Sequence, residues 1–215
     1  VRVGGAILYD EATGNKNDYL HRIIAVAGHE IQSFDRIYIN DAYVDVSNID
    51  ANGNVSSVTL SDGTSSDRYD GKLRIKFHLG ASNQAADTDL VSESDGLWTS
   101  AHRLRGIAYM YVRIKFDADV YPNGVPTFTA TIKGKKVYNP SSGLTVWSDN
   151  PALCLRDYLT SNYGLAEDAD NIDDTLVNTA VNICNQTNTG AGTTRYTCNG
   201  SFTTASSPFD IINNL

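Results

Sequence analysis

The sequence predicts an α+β fold that is mainly β: an antiparallel sheet or barrel-like domain first, then a small helix-containing α+β module. Three observations carry this. Segments within the first 140 residues alternate apolar and polar side chains with the period of two expected of half-buried strands. Clusters of Asn, Asp and Gly separate these segments, as turns do. After Pro140 the apolar spacing changes to that of helices. The predicted domains are residues 1–140 and 141–215.

Taken in order, "YLHRIIAVAGHEI" is almost continuously apolar, as in a strand covered on both faces. "RIYINDAYVDV" reads as a hairpin turning at Asn40-Asp41, and "NIDANGNVSS" holds a second hairpin signal, Asn52-Gly53. "KLRIKFHL" sets Leu73, Ile75, Phe77 and Leu79 on one face and Lys72, Arg74, Lys76 and His78 on the other. Residues 80–102 are polar and without clear period, which predicts a long loop, mobile or partner-dependent, anchored only by Trp98. "RLRGIAYMYVRIKF" then alternates over fourteen residues. Leu104, Ala108, Met110, Val112, Ile114 and Phe116 form one face; Arg103, Arg105, Tyr109, Tyr111, Arg113 and Lys115 form the other. "TFTATIK" sets Phe128, Ala130 and Ile132 against threonines.

The helices are marked by their ends. Asn150 suits an N-cap, Pro151 the first helical position, and Gly164 a left-handed residue after the last turn. Pro151, Cys154, Leu155, Tyr158 and Leu159 make one apolar stripe, with Arg156, Asp157 and Thr160 off it. Cys154 is therefore expected to be a buried packing residue with a raised pKa and not a nucleophile. A second helix is predicted over 174–185, with Leu176, Val177, Ala180, Val181 and Cys184 on one face. "RYTCNGSF" reads as a strand in which Cys198 could face the core or a turn. Ser207 and Pro208 open a third helix. It is marginal at this length, and the chain opens on Val1, so the natural protein is expected to be longer.

Composition bounds the function. No run of about 18 apolar residues exists, so no membrane-spanning helix is expected. Three widely spaced cysteines imply neither a disulfide framework nor a CxxC zinc site, and suit synthesis in a reducing compartment. The net charge is −8, with eight acids against two bases over residues 145–215. Nucleic-acid binding is not expected, because phosphate contacts need clustered Lys and Arg.

Catalytic candidates are weak. His29-Glu30 starts a zincin motif, but Ser33 stands where the second histidine belongs. Asp50, Asn52 and Asn54 mimic the start of a calcium loop, yet the glycine is misplaced and Ser61 replaces the closing glutamate. There is no GxSxG, Walker or GxGxxG motif. No enzyme, cofactor or metal is expected. Two rival classes stay open: a carbohydrate hydrolase with spatially assembled carboxylates, and a sugar-binding β module whose aromatic platform would be Trp98, with Tyr109 and Tyr111 as weaker candidates.

The order of segments "TIKGKKVYNP", "WSDNPALCLRDYLTSNYGL", an acidic helix and "RYTCNGSFTTASSPFDIINNL" resembles the tail-tip or baseplate-hub proteins of long-tailed bacteriophages, of the phage lambda tip attachment type. The match covers about 127 to 215, and "VRVGGAILYDEATGNKNDYLHRIIAVAGHEIQSFDRIYIND" is similar to the upstream part. The resemblance implies a virion tail protein made in the host cytoplasm. It would close the tail tube as a trimeric ring, contact other tail proteins and support receptor-binding parts. The shared motifs are structural: Trp147, Asn150, Pro151, Tyr163 and Gly164 shape one helix and its ends. For subunit contacts, the candidates are Arg103, Arg105, Tyr109, Tyr111 and Arg113, because Arg and Tyr are favoured at interfaces.

Overall fold

A computed structural model describes residues 1–214. Arg2–Gly134 form one compact unit, and the chain from Lys135 onward forms a second. The break falls a few residues before the expected one, because Lys136–Asn139 pairs with Leu144–Trp147 and not with the strand before it.

The first unit holds ten strands: β1 (Arg2–Val3), β2 (Ala6–Thr13), β3 (Tyr19–Ala27), β4 (Ser33–Ile39), β5 (Ala42–Asp45), β6 (Val58–Thr59), β7 (Ser65–Ser66), β8 (Leu73–His78), β9 (Ala108–Lys115) and β10 (Phe128–Lys133). A helix, α1 (Thr88–Glu93), lies between β8 and β9. They form two antiparallel sheets, ordered β1-β10-β4-β5-β6-β7 and β2-β3-β9-β8. The α+β, mainly β class is thus as expected, but both sheets are open and the barrel-like alternative is not realised.

Strand β3 is central in its sheet, so Ile23 and Ile24 are buried on opposite faces. Asn40 takes φ 52 and turns β4 into β5, pairing Ile39 with Ala42 as the Asn40-Asp41 signal predicts. The Asn52-Gly53 signal works differently. Asp50 accepts hydrogen bonds from the Asn52 and Asn54 amides (2.9 and 2.8 Å), turning the chain. Residues 53–55 then run along the outer edge of β8, with Ile75 N–H donating to Gly53 O at 2.7 Å. A Cβ at Gly53 would stand 2.6 Å from the Ile75 carbonyl oxygen, and its φ is 85, so both space and backbone require glycine.

The inner face of the four-stranded sheet carries Leu73, Ile75, Met110, Val112 and Ile114, all buried. Phe77 on β8 meets Phe34 on β4 with ring centroids 5.0 Å apart, so this face packs on the six-stranded sheet. Strand β9 is shorter than the expected 103–116. Leu104 (φ 46) and Gly106 (φ 75) adopt left-handed backbone and end it, while Phe116 lies beyond it, 69% exposed.

The second unit comprises β11 (Lys136–Asn139), β12 (Leu144–Trp147), α2 (Pro151–Thr160), α3 (Asp174–Cys184) and α4 (Pro208–Asn214). Its small core joins Val137, Leu153 and Val181. The buried face of α2 is rotated from the expected stripe: Leu153, Arg156 and Tyr158 are buried, whereas Cys154, Leu155 and Leu159 are half-buried. Arg156 can be buried because Asp174 takes both its Nε and Nη2 (2.7 and 3.1 Å) and its guanidinium covers the Tyr138 ring. Gly164 is not the left-handed residue; Ala166 is, at φ 52. Glycine is needed at 164 because a Cβ would fall 1.8 Å from the Tyr158 carbonyl oxygen. "RYTCNGSF" is not a strand. It is held by single backbone bonds, Arg195 N–H to Gln186 O, Tyr196 N–H to Cys184 O and Cys198 N–H to Asp149 O.

Candidate functional site

The densest cluster of ionisable groups lies on the outer face of the four-stranded sheet. Cross-strand pairing puts His21 and Ile23 of β3, Tyr109, Tyr111 and Arg113 of β9, and Arg74, Lys76 and His78 of β8 on this one face. It is not a solvated surface. Residues 80–107 fold over it, so the segment expected to be a loop is a cover with its own helix. Asp87 caps α1 by accepting from the Asp89 and Leu90 amides (3.1 and 2.9 Å). Leu90 and Trp98 then pack with Ile23, Tyr109 and Tyr111 in a single apolar cluster.

Charge fixes the helix to the sheet. Glu93 accepts from Arg74 at 2.5 Å and from Arg113 at 3.0 Å. Asp89 pairs with Lys76 at 2.5 Å and Arg74 at 3.3 Å. Asp87 meets His78 at 2.8 Å, and His78 stacks on Tyr109 with centroids 4.3 Å apart. Gln84 pins the cover's ends: its Oε1 accepts from Gly80 N–H at 2.7 Å and its Nε2 donates to Leu104 O at 2.9 Å. The sequence carried a signal for this arrangement that its polarity hid. Acids at 87, 89 and 93 follow bases at 74, 76 and 78, and Leu90, Val91, Ser94 and Trp98 have helical spacing.

Beneath the cover runs a buried polar chain. His21 is 1% exposed; its Nε2 lies 2.8 Å from Thr13 Oγ1 and its Nδ1 2.7 Å from the Tyr111 hydroxyl. Tyr111 in turn donates to Glu93 at 3.3 Å. Burial lowers the His21 pKa, against the opposing pull of Glu93. Fully satisfied networks of this kind fix one packing arrangement.

A cleft of ≈ 450 Å³ opens beside β8, where Ile75, Phe77 and His78 meet Val46, Ile49, Asp50 and Asp87. Two carboxylates line it, the minimum for glycoside cleavage. For Asp87, burial raises the pKa, but hydrogen bonds from His78 and the Leu90 amide overcome this and hold it below the usual range. Asp50 is held low by the Asn54 side chain and amide. A general acid needs the opposite shift, so neither is placed to donate a proton near neutral pH. Asp50 spends its oxygens on Asn52 and Asn54, the use its calcium-loop likeness disguised. Among the described residues, no group of three His, Cys, Asp or Glu is placed to hold a metal ion, and no helix is long and apolar enough to cross a membrane.

The candidate subunit-contact residues are separated by the structure. Tyr109 and Tyr111 are fully buried under the cover, so they are neither contact residues nor a sugar platform, and Trp98 at 6% exposure is not one either. Arg113 is half-buried and committed to Glu93. Arg103 and Arg105 are exposed on the cover's last turn, bonded to Ser100 O and Gln84 O. The alternation along β9 was read correctly; what was missed is that its second face has a lid.

The helix-shaping motif holds together better. Asn150 caps α2 by accepting from Ala152 N–H at 3.0 Å, and its Nδ2 donates to Val181 O (3.1 Å) and Asn185 Oδ1 (2.9 Å), tying α2 to α3. Pro151 is the first helical residue and Trp147 ends β12. Tyr163 and Lys135 both bond Asp157, with Lys135 Nζ 2.8 Å from the Tyr163 hydroxyl, closing the far end of the helix. Cys154 is half-buried and not fully buried as expected, and burial pushes its thiol up to about 12.

The second unit also leaves many large apolar side chains in solvent. Leu144 and Val146 project from β12, Leu176 and Ile183 from α3, and Phe209 from α4, the last at 74% exposure.

No family model and no curated protein matches the chain. Among solved structures, it is similar to a chain of the virion of a native gene transfer agent particle, at 18% identity and a TM-score of 0.41. The likeness covers 62% of this chain and 25% of that one. A likeness of this degree fixes neither the fold nor the role.

Proposed function

We propose that the chain is a structural subunit of a bacteriophage tail tip, a baseplate-hub component that closes the tail tube as a trimeric ring and supports receptor-binding parts. It acts by assembly with copies of itself and other tail proteins, not by catalysis. The ordered motifs from "TIKGKKVYNP" to "PFDIINNL" support this reading, because their order resembles that of tail-tip hub proteins and they shape the second unit. The observation that carries it is the exposed apolar set on that unit. Leu144, Val146, Leu176, Ile183 and Phe209 stand exposed on a unit whose buried apolar side chains, among the described residues, are Val137, Leu153, Tyr158, Val181 and Ile211. A unit that buries so little and exposes so much is suited to burial against a neighbour. The ring contact is therefore assigned to residues 135–214 and not to the outer face of β9, which α1 and Trp98 already occupy.

Electron microscopy of the assembled particle, with this chain tagged, tests the reading. Three copies around the tail axis at the tip, with Leu176 and Phe209 inside subunit contacts, are expected. A single copy, a capsid location, or those residues facing solvent would contradict it.

A further inference from the structure

Cys154 and Cys198 are far apart in sequence but share one corner of the second unit. Cys154 lies in the first turn of α2, and its thiol points back to the Ser148 carbonyl at 3.7 Å. Cys198 is fixed beside the same stretch by its own backbone, whose N–H donates to Asp149 O at 2.7 Å. The two thiols are close enough that each shifts the other's ionisation, Cys154 upward and Cys198 downward against the rise that burial imposes. Both are half-buried, so a small reagent can reach them.

We infer that Cys154 and Cys198 are a site of reversible oxidation, at which a small disulfide such as oxidised glutathione closes them into an intramolecular disulfide. The bond ties the irregular 186–207 segment to the start of α2. That segment is otherwise held by isolated backbone bonds and by the Phe202 ring against Tyr158 and Tyr163. The inference stands whether or not the chain is a hub.

The chemistry balances in two exchanges. The Cys198 thiolate attacks one sulfur of oxidised glutathione, the S–S bond breaks, and one glutathione thiolate leaves. Cys154 then gives its proton to solvent, and its thiolate attacks the Cys198 sulfur, expelling the second glutathione. Two protein thiols and one oxidised glutathione become one protein disulfide and two reduced glutathiones. The order follows from the surroundings. Burial raises both thiols, Cys154 to about 12, while the neighbouring Cys154 side chain offsets part of the rise at Cys198. Closure by Cys154 therefore needs the harder deprotonation, and it quickens as pH rises. In a reducing cytoplasm the pair stays open; after release to an oxidising medium it closes.

The test treats the native full-length chain with oxidised glutathione at pH 7 and pH 8, quenches in acid, caps free thiols and maps peptides without reduction. The expected result is a mass loss of about 2 Da, a linked Cys154–Cys198 peptide, free Cys184, and faster closure at the higher pH. The Cys184→Ser variant should behave like the parent, and Cys198→Ser should take up no internal disulfide. Three capped thiols, a Cys198–glutathione adduct that never closes, or a link through Cys184 would each overturn the inference; the parent protein alone decides, should a variant not fold.

Discussion

The indole of Trp98 meets the ring of Tyr9 edge-on, with centroids 5.1 Å apart and planes at 64°. This contact joins the cover segment to β2, the edge strand of the sheet it covers, and it replaces the expectation of a mobile 80–102 loop. Truncation of Trp98 to alanine should cost about 3–5 kcal/mol, as for other buried aromatic residues. Hydrogen exchange should show α1 protected to the level of β8 and β9 in the parent protein. Rapid exchange of α1 in the parent, or a Trp98→Ala variant of unchanged stability, would restore the loop reading.

Glu93 collects Arg74, Arg113 and Tyr111, and the carboxylate is only 29% exposed. Replacing it with alanine leaves Arg74, 11% exposed, with Asp89 as its remaining carboxylate partner beside the Tyr111 hydroxyl. A loss of about 1–3 kcal/mol in urea unfolding is expected. In the pair Lys72–Asp117 at 2.7 Å the cation is more open, 31% against 11% exposed for Arg74, so Asp117→Asn should cost less. Equal effects would mean that the charge clamp on α1 contributes nothing special.

His21 links stability to pH. Its folded pKa lies below the unfolded value near 6.5, because burial disfavours the charged ring. Above about 6.5 both states are neutral and the full stability is present. As pH falls from there toward the folded pKa, the unfolded chain binds the proton first, so stability is lost in that window. Urea midpoints of the parent and His21→Asn between pH 7.5 and 5.5 should show a steeper loss in the parent. Parallel lines would remove His21 as the source. Asp87 acts in a lower window, since its depressed pKa loses stability only as pH falls below the usual carboxylate range.

Two residues of the α2 motif should fail for different reasons. Asn150→Ala removes a cap and the bonds to Val181 O and Asn185, costing about 1–3 kcal/mol. Gly164→Ala forces a Cβ onto the Tyr158 carbonyl, and the chain must move to relieve it, costing about 1–3 kcal/mol or more. If Gly164→Ala is neutral while Asn150→Ala is not, the tight approach of residue 164 to α2 is wrong.

Strands were legible where one face is apolar or the run is apolar throughout: β4, β5, β8 and β10 stand where period and turn residues put them, and β3 where the continuous apolar run begins. The helix starts at Pro151 and Pro208 were legible because capping is local, and the start at Asp174 from the apolar stripe that follows it. What a single sequence hides is what lies over a polar face. Arg74, Lys76 and His78 read as the polar face of a strand, and only their pairing with Asp87, Asp89 and Glu93 in space shows that the face is covered. The α2 stripe was misplaced for the same reason: Arg156 reads as an outward residue until Asp174 is brought beside it. Gly164 read as a cap because the usual role of glycine after a helix is backbone freedom, whereas here the need is room.

Sedimentation equilibrium of the natural full-length protein, beside a Leu176→Asp/Ile183→Asp variant, tests the assembly claim most directly. Both side chains are exposed on α3, so the double change should leave the circular dichroism spectrum unaltered. The account predicts a trimer for the parent at micromolar concentration and a monomer for the variant. A parent that stays monomeric with its tail partners present, or a variant that remains trimeric, would contradict it.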